Sequence, residues 1–284
     1  MMKEYINYHN RNQLTQFIIR LVINLSYKLN SNLFCLFWNL LFFFINNSVR
    51  IKALEDKSFL VRDSSNELII GFKERFEFYM QSIEHRYNLL SQEYMLENIN
   101  FSENDIIVDC GANIGEIYCL IKQINGKNYN FDYFGFEPSE FEFNILDKNS
   151  NNNVQEPLAL FNQDTKKNFY LNRELADSSL IKNDKSNNIV EVNCVRLDSF
   201  IDIDKQIKLF KLEAEGSELD VLKGSKKILK NIEYVSADLG FEINNNTESS
   251  FIEVNQFLIK NGFELIKSHK RWVFLYKNKN STNT

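Results

Sequence analysis

DIIVDCGANIGEIYCLIKQI, residues 105–124, is the stretch on which the reading of this chain turns. It begins with a branched apolar run ending at Asp109 and Cys110. It then passes through a turn holding Gly111 and Gly115, and continues as an amphipathic segment over 116–124. The pattern is that of a buried strand, a tight turn and a helix. Glycine in such a turn permits positive φ and lets a ligand approach the main chain closely. The next apolar run, FDYFGFE at 131–137, reads as a second strand ending in Glu137. An acid at that position can accept both hydroxyls of a ribose.

The spelling of the turn narrows the ligand. Dinucleotide sites usually carry G-x-G-x-x-G, which frees helix amides to cradle a pyrophosphate. Here the turn reads D-C-G-A-N-I-G, with Ala112 and Asn113 filling the loop and Asp109 in front of it. An acidic entry suits a cationic, phosphate-free ligand, and S-adenosylmethionine fits. The expected cofactor contacts are Asp109, Gly111, Ala112, Asn113, Gly115 and Glu137, together with the following Pro138 and with Ala159 on a third strand.

Outward from this unit the alternation continues. Pro138 is expected at the first position of the next helix, with Phe141, Ile145 and Leu146 on one face. Residues 154–160 read as the third strand, and 168–171 with 189–195 as a hairpin around a polar loop. A fourth strand at 207–212 leads through EAEGS into a helix over 218–230, where Gly224 marks a close packing contact. A fifth strand (232–239), a helix (251–260) and two strands (262–266 and 272–276) joined by KSHKR complete the pattern. Strand–helix alternation implies an α/β parallel sheet. The terminal pair must be antiparallel, because its link is too short for a parallel crossover.

VDCGANIG (108–115), GFEPSEFEFNIL (135–146), VNCVRLDSFI (192–201), LFKLEAEGSELDVLKGSKKIL (209–229) and VSADLGFE (235–242) resemble the FkbM family of S-adenosylmethionine-dependent methyltransferases. FLVRDSSNELIIGFKERFEFY (59–79) is similar to the segment preceding that family's core, so the resemblance runs over about 59–276. It implies a class I, Rossmann-like methyltransferase: a seven-stranded, mostly parallel sheet with a reversed C-terminal hairpin, here with an N-terminal helical extension. It also implies methylation of a hydroxyl on a sugar or secondary metabolite. Family members often carry Asp where Glu213 stands.

Strand-end loops at the carboxyl edge of such a sheet are where catalytic groups belong. A sugar hydroxyl is a weak nucleophile, so a base within hydrogen-bond reach would help. The candidates are Asp238 at the end of the fifth strand, Glu213 and Glu215 at the end of the fourth, and His269 in the terminal turn. Each has a plainer alternative: structural hydrogen bonding for Asp238, helix-dipole complementation for Glu215, and a solvated side chain for His269. Ser178 and Ser179, in ADSSLI, match the family's Ser-containing loop and are candidate substrate contacts, or else turn formers. Tyr79, His85 and Tyr94 precede the core and are candidates for a lid. Oxygen ligands at Glu213, Glu215 and Asp238 are compatible with Mg²⁺, but nothing in the sequence requires a metal.

Composition bounds the rest. The chain has 284 residues and 33.6 kDa, is 44% apolar, and carries a formal charge of −5 with pI near 5.5. That excludes a nucleic-acid binder relying on net positive charge. Four cysteines without CxxC spacing favour a reduced, cytoplasmic setting. The charge is uneven: residues 1–50 carry +4, against −9 for the remainder, and hold 10 of the 39 aromatic residues. Within them, 33–45 (LFCLFWNLLFFFI) is apolar except for Asn39, yet as a helix it spans only about 20 Å, short of a bilayer core.

The expected organisation is therefore an extension (1–50), a pre-core segment with lid helices (51–104) and a methyltransferase domain (105–278). Residues 14–45 pack on their own domain, form a homodimer contact, or rest peripherally on the inner face of the membrane. The leading functional reading is an O-methyltransferase acting on a sugar hydroxyl in bacterial surface polysaccharide or glycoconjugate assembly, with a small-molecule or glycan acceptor. The alternatives are an N-methyltransferase of an amino sugar or small metabolite, and a non-catalytic scaffold on the same fold.

Overall fold

Two units, Met1–Leu89 and Leu90–Thr284, make up the chain in the computed structural model. It describes residues 13–126, 129–171, 179–181, 188–241 and 248–280.

The first unit runs α1 (Gln13–Ser26), α2 (Ser31–Phe44), and then the antiparallel meander β1 (Arg50–Ala53), β2 (Phe59–Arg62) and β3 (Glu67–Ile70). A 3₁₀ segment (Lys73–Tyr79) follows, and α3 (Ile83–Glu93) begins before the division between the units. Asn30 caps α2 by accepting from the Leu33 N–H at 3.0 Å. The inward face of α2 buries Phe34, Cys35, Trp38 and Phe42. Phe34 meets the rings of Phe59 and Phe76 edge-on at 6.1 and 5.9 Å, a favoured aromatic geometry.

Asn39, the one polar residue in the 33–45 run, donates to the Ile51 carbonyl and accepts from the Ile51 N–H, at 2.8 and 2.9 Å. It thereby fastens the helix to β1. The opposite face of α2 leaves Leu33, Leu36, Phe37, Leu40, Phe43 and Phe44 exposed. α1 similarly exposes Phe17, Ile18, Leu21 and Leu25. Among the described residues no helix is long and apolar enough to cross a membrane.

The second unit is α/β with mixed sheets. Its elements are β4 (Ile106–Cys110), α4 (Glu116–Asn125), β5 (Asp132–Phe136), α5 (Glu140–Asn149), β6 (Leu158–Leu160), β7 (Thr165–Leu171) and β8 (Asn188–Val195). There follow α6 (Leu197–Phe200), β9 (Ile207–Leu212), α7 (Glu218–Gly224), β10 (Ile232–Asp238), α8 (Phe251–Lys260), β11 (Phe263–Ser268) and β12 (Val273–Asn278). The main sheet has the order β11-β12-β10-β9-β4-β5. β10, β9, β4 and β5 are mutually parallel, while β12 is antiparallel to both β10 and β11. The reversed terminal hairpin is thus as expected, and the carboxyl ends of the four parallel strands share one edge.

Three expectations are corrected. The main sheet holds six described strands rather than seven, because β6 pairs with β8, in a separate sheet of order β6-β8-β7. The outer edge of β5 is occupied instead by Asn152, whose side chain accepts from the Gly135 N–H and donates to the Gly135 carbonyl. Pro138 does not open a helix: Ser139 is the N-cap of α5, which starts at Glu140. The helix expected over 218–230 ends at Gly224, since the Asp198 carboxylate captures the Lys227 and Ile228 N–H groups at 3.0 Å.

Gly224 does mark a close contact. A Cβ there would lie 2.0 Å from the Phe161 carbonyl oxygen and 2.9 Å from its carbon. Both are backbone atoms, so the overlap outweighs the gain of about 1 kcal/mol in helix propensity. Gly224→Ala is expected to cost about 1–3 kcal/mol net, read as a lower urea midpoint at unchanged slope.

Candidate active site

The site is built on the carboxyl ends of β4, β5, β9 and β10. β4 delivers Asp109, fully buried, where Tyr133 of β5 donates its hydroxyl to Oδ2 at 2.6 Å. The turn after β4 needs left-handed backbone at Gly111 (φ 71°), Asn113 (φ 49°) and Gly115 (φ 85°). At Gly111 glycine is obligatory on two counts, since a Cβ would also stand 2.2 Å from the Glu213 carbonyl. The Gly111 and Ala112 N–H groups both bond the Phe136 carbonyl at 3.0 Å, tying the turn to the end of β5.

Glu137 continues from β5 into this turn and is only 6% exposed. Its two oxygens accept from the Asn113 N–H at 3.0 Å and the Ser139 N–H at 2.9 Å. Burial and the neighbouring Glu142 carboxylate push its pKa up to about 8, against those amides and Lys211. Asn113 Oδ1 is buried without a hydrogen-bond donor among the described residues. Glu137 and Asn113 thus present acceptors, and Lys211, the cation beside Asp109, is already paired. This arrangement fits a ligand that brings hydroxyl donors and positive charge.

That lysine, Lys211, is a residue the sequence reading missed. It is 3% exposed on β9, with Nζ 3.1 Å from Asp109 Oδ1 and 2.9 Å from Glu213 Oε2. It also donates to the carbonyls of Cys110 and Gly111, at 3.1 and 2.8 Å. Burial disfavours the ammonium, but the two carboxylates outweigh it and hold Lys211 charged. A signal was present: a lysine inside the apolar run LFKL must be paired if that strand is buried.

Glu213 receives a second donor, the Tyr94 hydroxyl at 2.7 Å. Burial pushes Glu213 up, yet Lys211, Tyr94 and Arg271 together hold it below the usual range. Of the three candidates for a lid, Tyr94 therefore reaches a site carboxylate, while Tyr79 and His85 lie in the first unit.

Asp238, at the end of β10, has the opposite character. Burial, then the carboxylates of Glu213 and Glu93, push its pKa up to about 7 against Arg271. Arg271 itself pairs with Glu93 at 2.9 Å. The Gly240 N–H donates to Asp238 Oδ1 at 3.2 Å. Two carboxylates at one sheet edge are thus driven apart, Glu213 ionised and Asp238 poised near neutrality.

The remaining candidates are placed differently. Glu215 lies in a left-handed turn with Gly216 (φ 47° and 94°), outside α7, whose first-turn acids are Glu218 and Asp220. Glu218, fully buried, accepts from the Ala214 and Gly216 N–H groups at 3.0 and 2.9 Å and so shapes that turn. Ser179 donates its hydroxyl to the Glu215 carbonyl at 2.8 Å, while Ser178 lies outside the described residues. His269 belongs to the β11–β12 turn, where its Nδ1 accepts from the Arg271 N–H at 3.4 Å. Ala159 sits in the core of the small sheet with Phe161, Phe169 and Cys194. Among the described residues no three His, Cys, Asp or Glu side chains are grouped to hold a metal ion.

Among solved structures the chain is similar to the methyltransferase FkbM from Methylobacillus flagellatus KT, at 16% identity and a TM-score of 0.46. The match covers 72% of this chain and 52% of that one, so this chain spans about half its length. No curated protein matches. The sequence model of the methyltransferase FkbM domain matches residues 109–265, more than half of the chain. By that match the chain belongs to the FkbM methyltransferase family, whose members use S-adenosylmethionine.

Proposed function

We propose that this chain is an S-adenosylmethionine-dependent O-methyltransferase acting on a sugar hydroxyl, with β4, β5, β9 and β10 as the parallel centre of a Rossmann-like class I sheet. The observation that carries the reading is the acceptor-lined turn of Gly111, Asn113 and Glu137, on the same edge as a carboxyl poised near pH 7, Asp238. Bound at this turn, S-adenosylmethionine supplies an electrophilic methyl carbon on a sulfonium. Glu137 would accept the ribose hydroxyls, and Glu213, held ionised, would favour the cation. Asp238 takes the proton of the acceptor hydroxyl on Oδ2, Oδ1 being engaged by Gly240. Holding nucleophile and methyl in line contributes up to about 7–11 kcal/mol of barrier lowering in such reactions.

Calorimetric titration with S-adenosylhomocysteine and with NAD tests the first half. The wild type is expected to bind the former and not the latter. Above about pH 8, where Glu137 is ionised, losing two hydrogen bonds to a charged group in Glu137→Ala should weaken binding about 10²-fold to 10⁴-fold. Hydroxyl donors favour ionised Glu137, so the bound group has a lower pKa than the free one. Affinity should therefore rise with pH up to about 8 and then level off, with proton release below that point. NAD binding, or no binding of S-adenosylhomocysteine, would overturn the reading. Transfer of labelled methyl to nucleotide-activated sugars or lipid-linked oligosaccharides tests the acceptor class.

A further inference from the structure

α2 is apolar on both sides, and only one side is used. Phe34, Cys35, Trp38 and Phe42 face the core of the first unit. Leu33, Leu36, Phe37, Leu40, Phe43 and Phe44 recur at helical spacing on the other side and are 36–79% exposed. Uncovered apolar stripes of this kind mark interaction surfaces. The helix has 14 residues, about 21 Å, so it can lie along a surface and cannot span a bilayer.

Charge identifies the occupant. Between Glu4 and Glu55 the sequence has no acidic residue and five basic ones: Arg11, Arg20, Lys28, Arg50 and Lys52. Lys28 precedes α2 and Arg50 follows it, both exposed. A second copy meeting this face would bring one cationic, acid-free segment against another, which disfavours the pairing. An anionic headgroup layer supplies the missing countercharge, while its acyl boundary receives the leucine and phenylalanine side chains.

We propose that the exposed face of α2 is a docking surface for an anionic membrane, with Lys28 and Arg50 at its two ends. The helix lies in the interface plane, and Asn39 holds it to β1 from the other side. This does not depend on the methyl-transfer reading.

The test is flotation of the full chain with phosphatidylcholine vesicles, with and without about 30 mol% phosphatidylserine. Circular dichroism and sedimentation velocity accompany it. The wild type is expected to float with the anionic vesicles and much less with the neutral ones. Phe37→Ser combined with Leu40→Ser changes only exposed positions, and should lower partition at least about tenfold at unchanged fold. Lys28→Gln with Arg50→Gln should lower it too, and high salt should imitate that pair. Equal flotation of the apolar variant overturns the proposal, as does a wild type that stays off both vesicles. If the latter also sediments as a dimer that the apolar variant dissolves, the face belongs to a second copy. Equal partition onto neutral vesicles overturns the anionic assignment.

Discussion

Lys211→Met should lower the melting temperature of the second unit by about 6–20 °C, the shift expected for a loss of about 3–5 kcal/mol in a unit of this size. The cost does not come from lost packing, since methionine fills much the same volume. It comes from Asp109 and Glu213, which keep their places in the fold and lose their shared countercharge. Asp109 is fully buried and already pushed up by that burial despite Lys211. Without the ammonium both acids should titrate well above their unfolded values. Folded-state pKa values raised in this way give stability that is full below about pH 4 and lost as pH rises. The destabilisation should thus be larger at pH 8 than at pH 5. Trp272, the second unit's own tryptophan, can report the transition. An equal loss at both pH values would mean that packing, and not charge, is the cause. Adding Asp109→Asn and Glu213→Gln should recover part of the stability, because replacing a whole buried ionic group is far milder than orphaning part of it.

The second large effect is on catalysis. Asp238→Asn should reduce kcat about 10²–10⁴-fold, the usual contribution of a positioned base. Affinity for S-adenosylhomocysteine should stay within a factor of about two, since Asp238 lies two strands away from β4 in the sheet order. The wild-type rate should climb with pH through about 7, as Asp238 loses its proton, and then level. In the asparagine variant that limb should vanish. Glu213→Gln offers a control that a structural role alone would not pass. It removes a negative charge that raises Asp238, so the limb should move to lower pH. An Asp238→Asn enzyme with full activity, or a limb unmoved by Glu213→Gln, would remove Asp238 from the mechanism.

Much of the second unit was legible because its signals are local. The apolar run ending at Asp109, the glycines at 111 and 115, and the acid closing the next run each depend on a few neighbouring residues. The antiparallel terminal hairpin followed from the length of a turn. What escaped was set by contacts distant in sequence. Asp198 ends a helix by capturing amides almost thirty residues onward, and Asn152 takes an edge that hydrophobic pattern alone would give to a strand. Lys211 stood in plain view but was read as part of an apolar strand. Its meaning appears only when β4 and β9 lie side by side. In the first unit the apolar run of α2 gave no way to tell which side faces inward, because both sides are equally apolar. Asn39 decides it by bonding to Ile51.

The side chain of Asn152 has a consequence for solubility. β5 ends the main sheet, and an open edge offers unpaired N–H and carbonyl groups to any extended chain that drifts past. By bonding both backbone groups of Gly135, while the Asn153 N–H bonds the Tyr133 carbonyl, the chain closes that template upon itself. The sheet stops growing there because an asparagine amide imitates a peptide group and then offers no further strand to the next molecule.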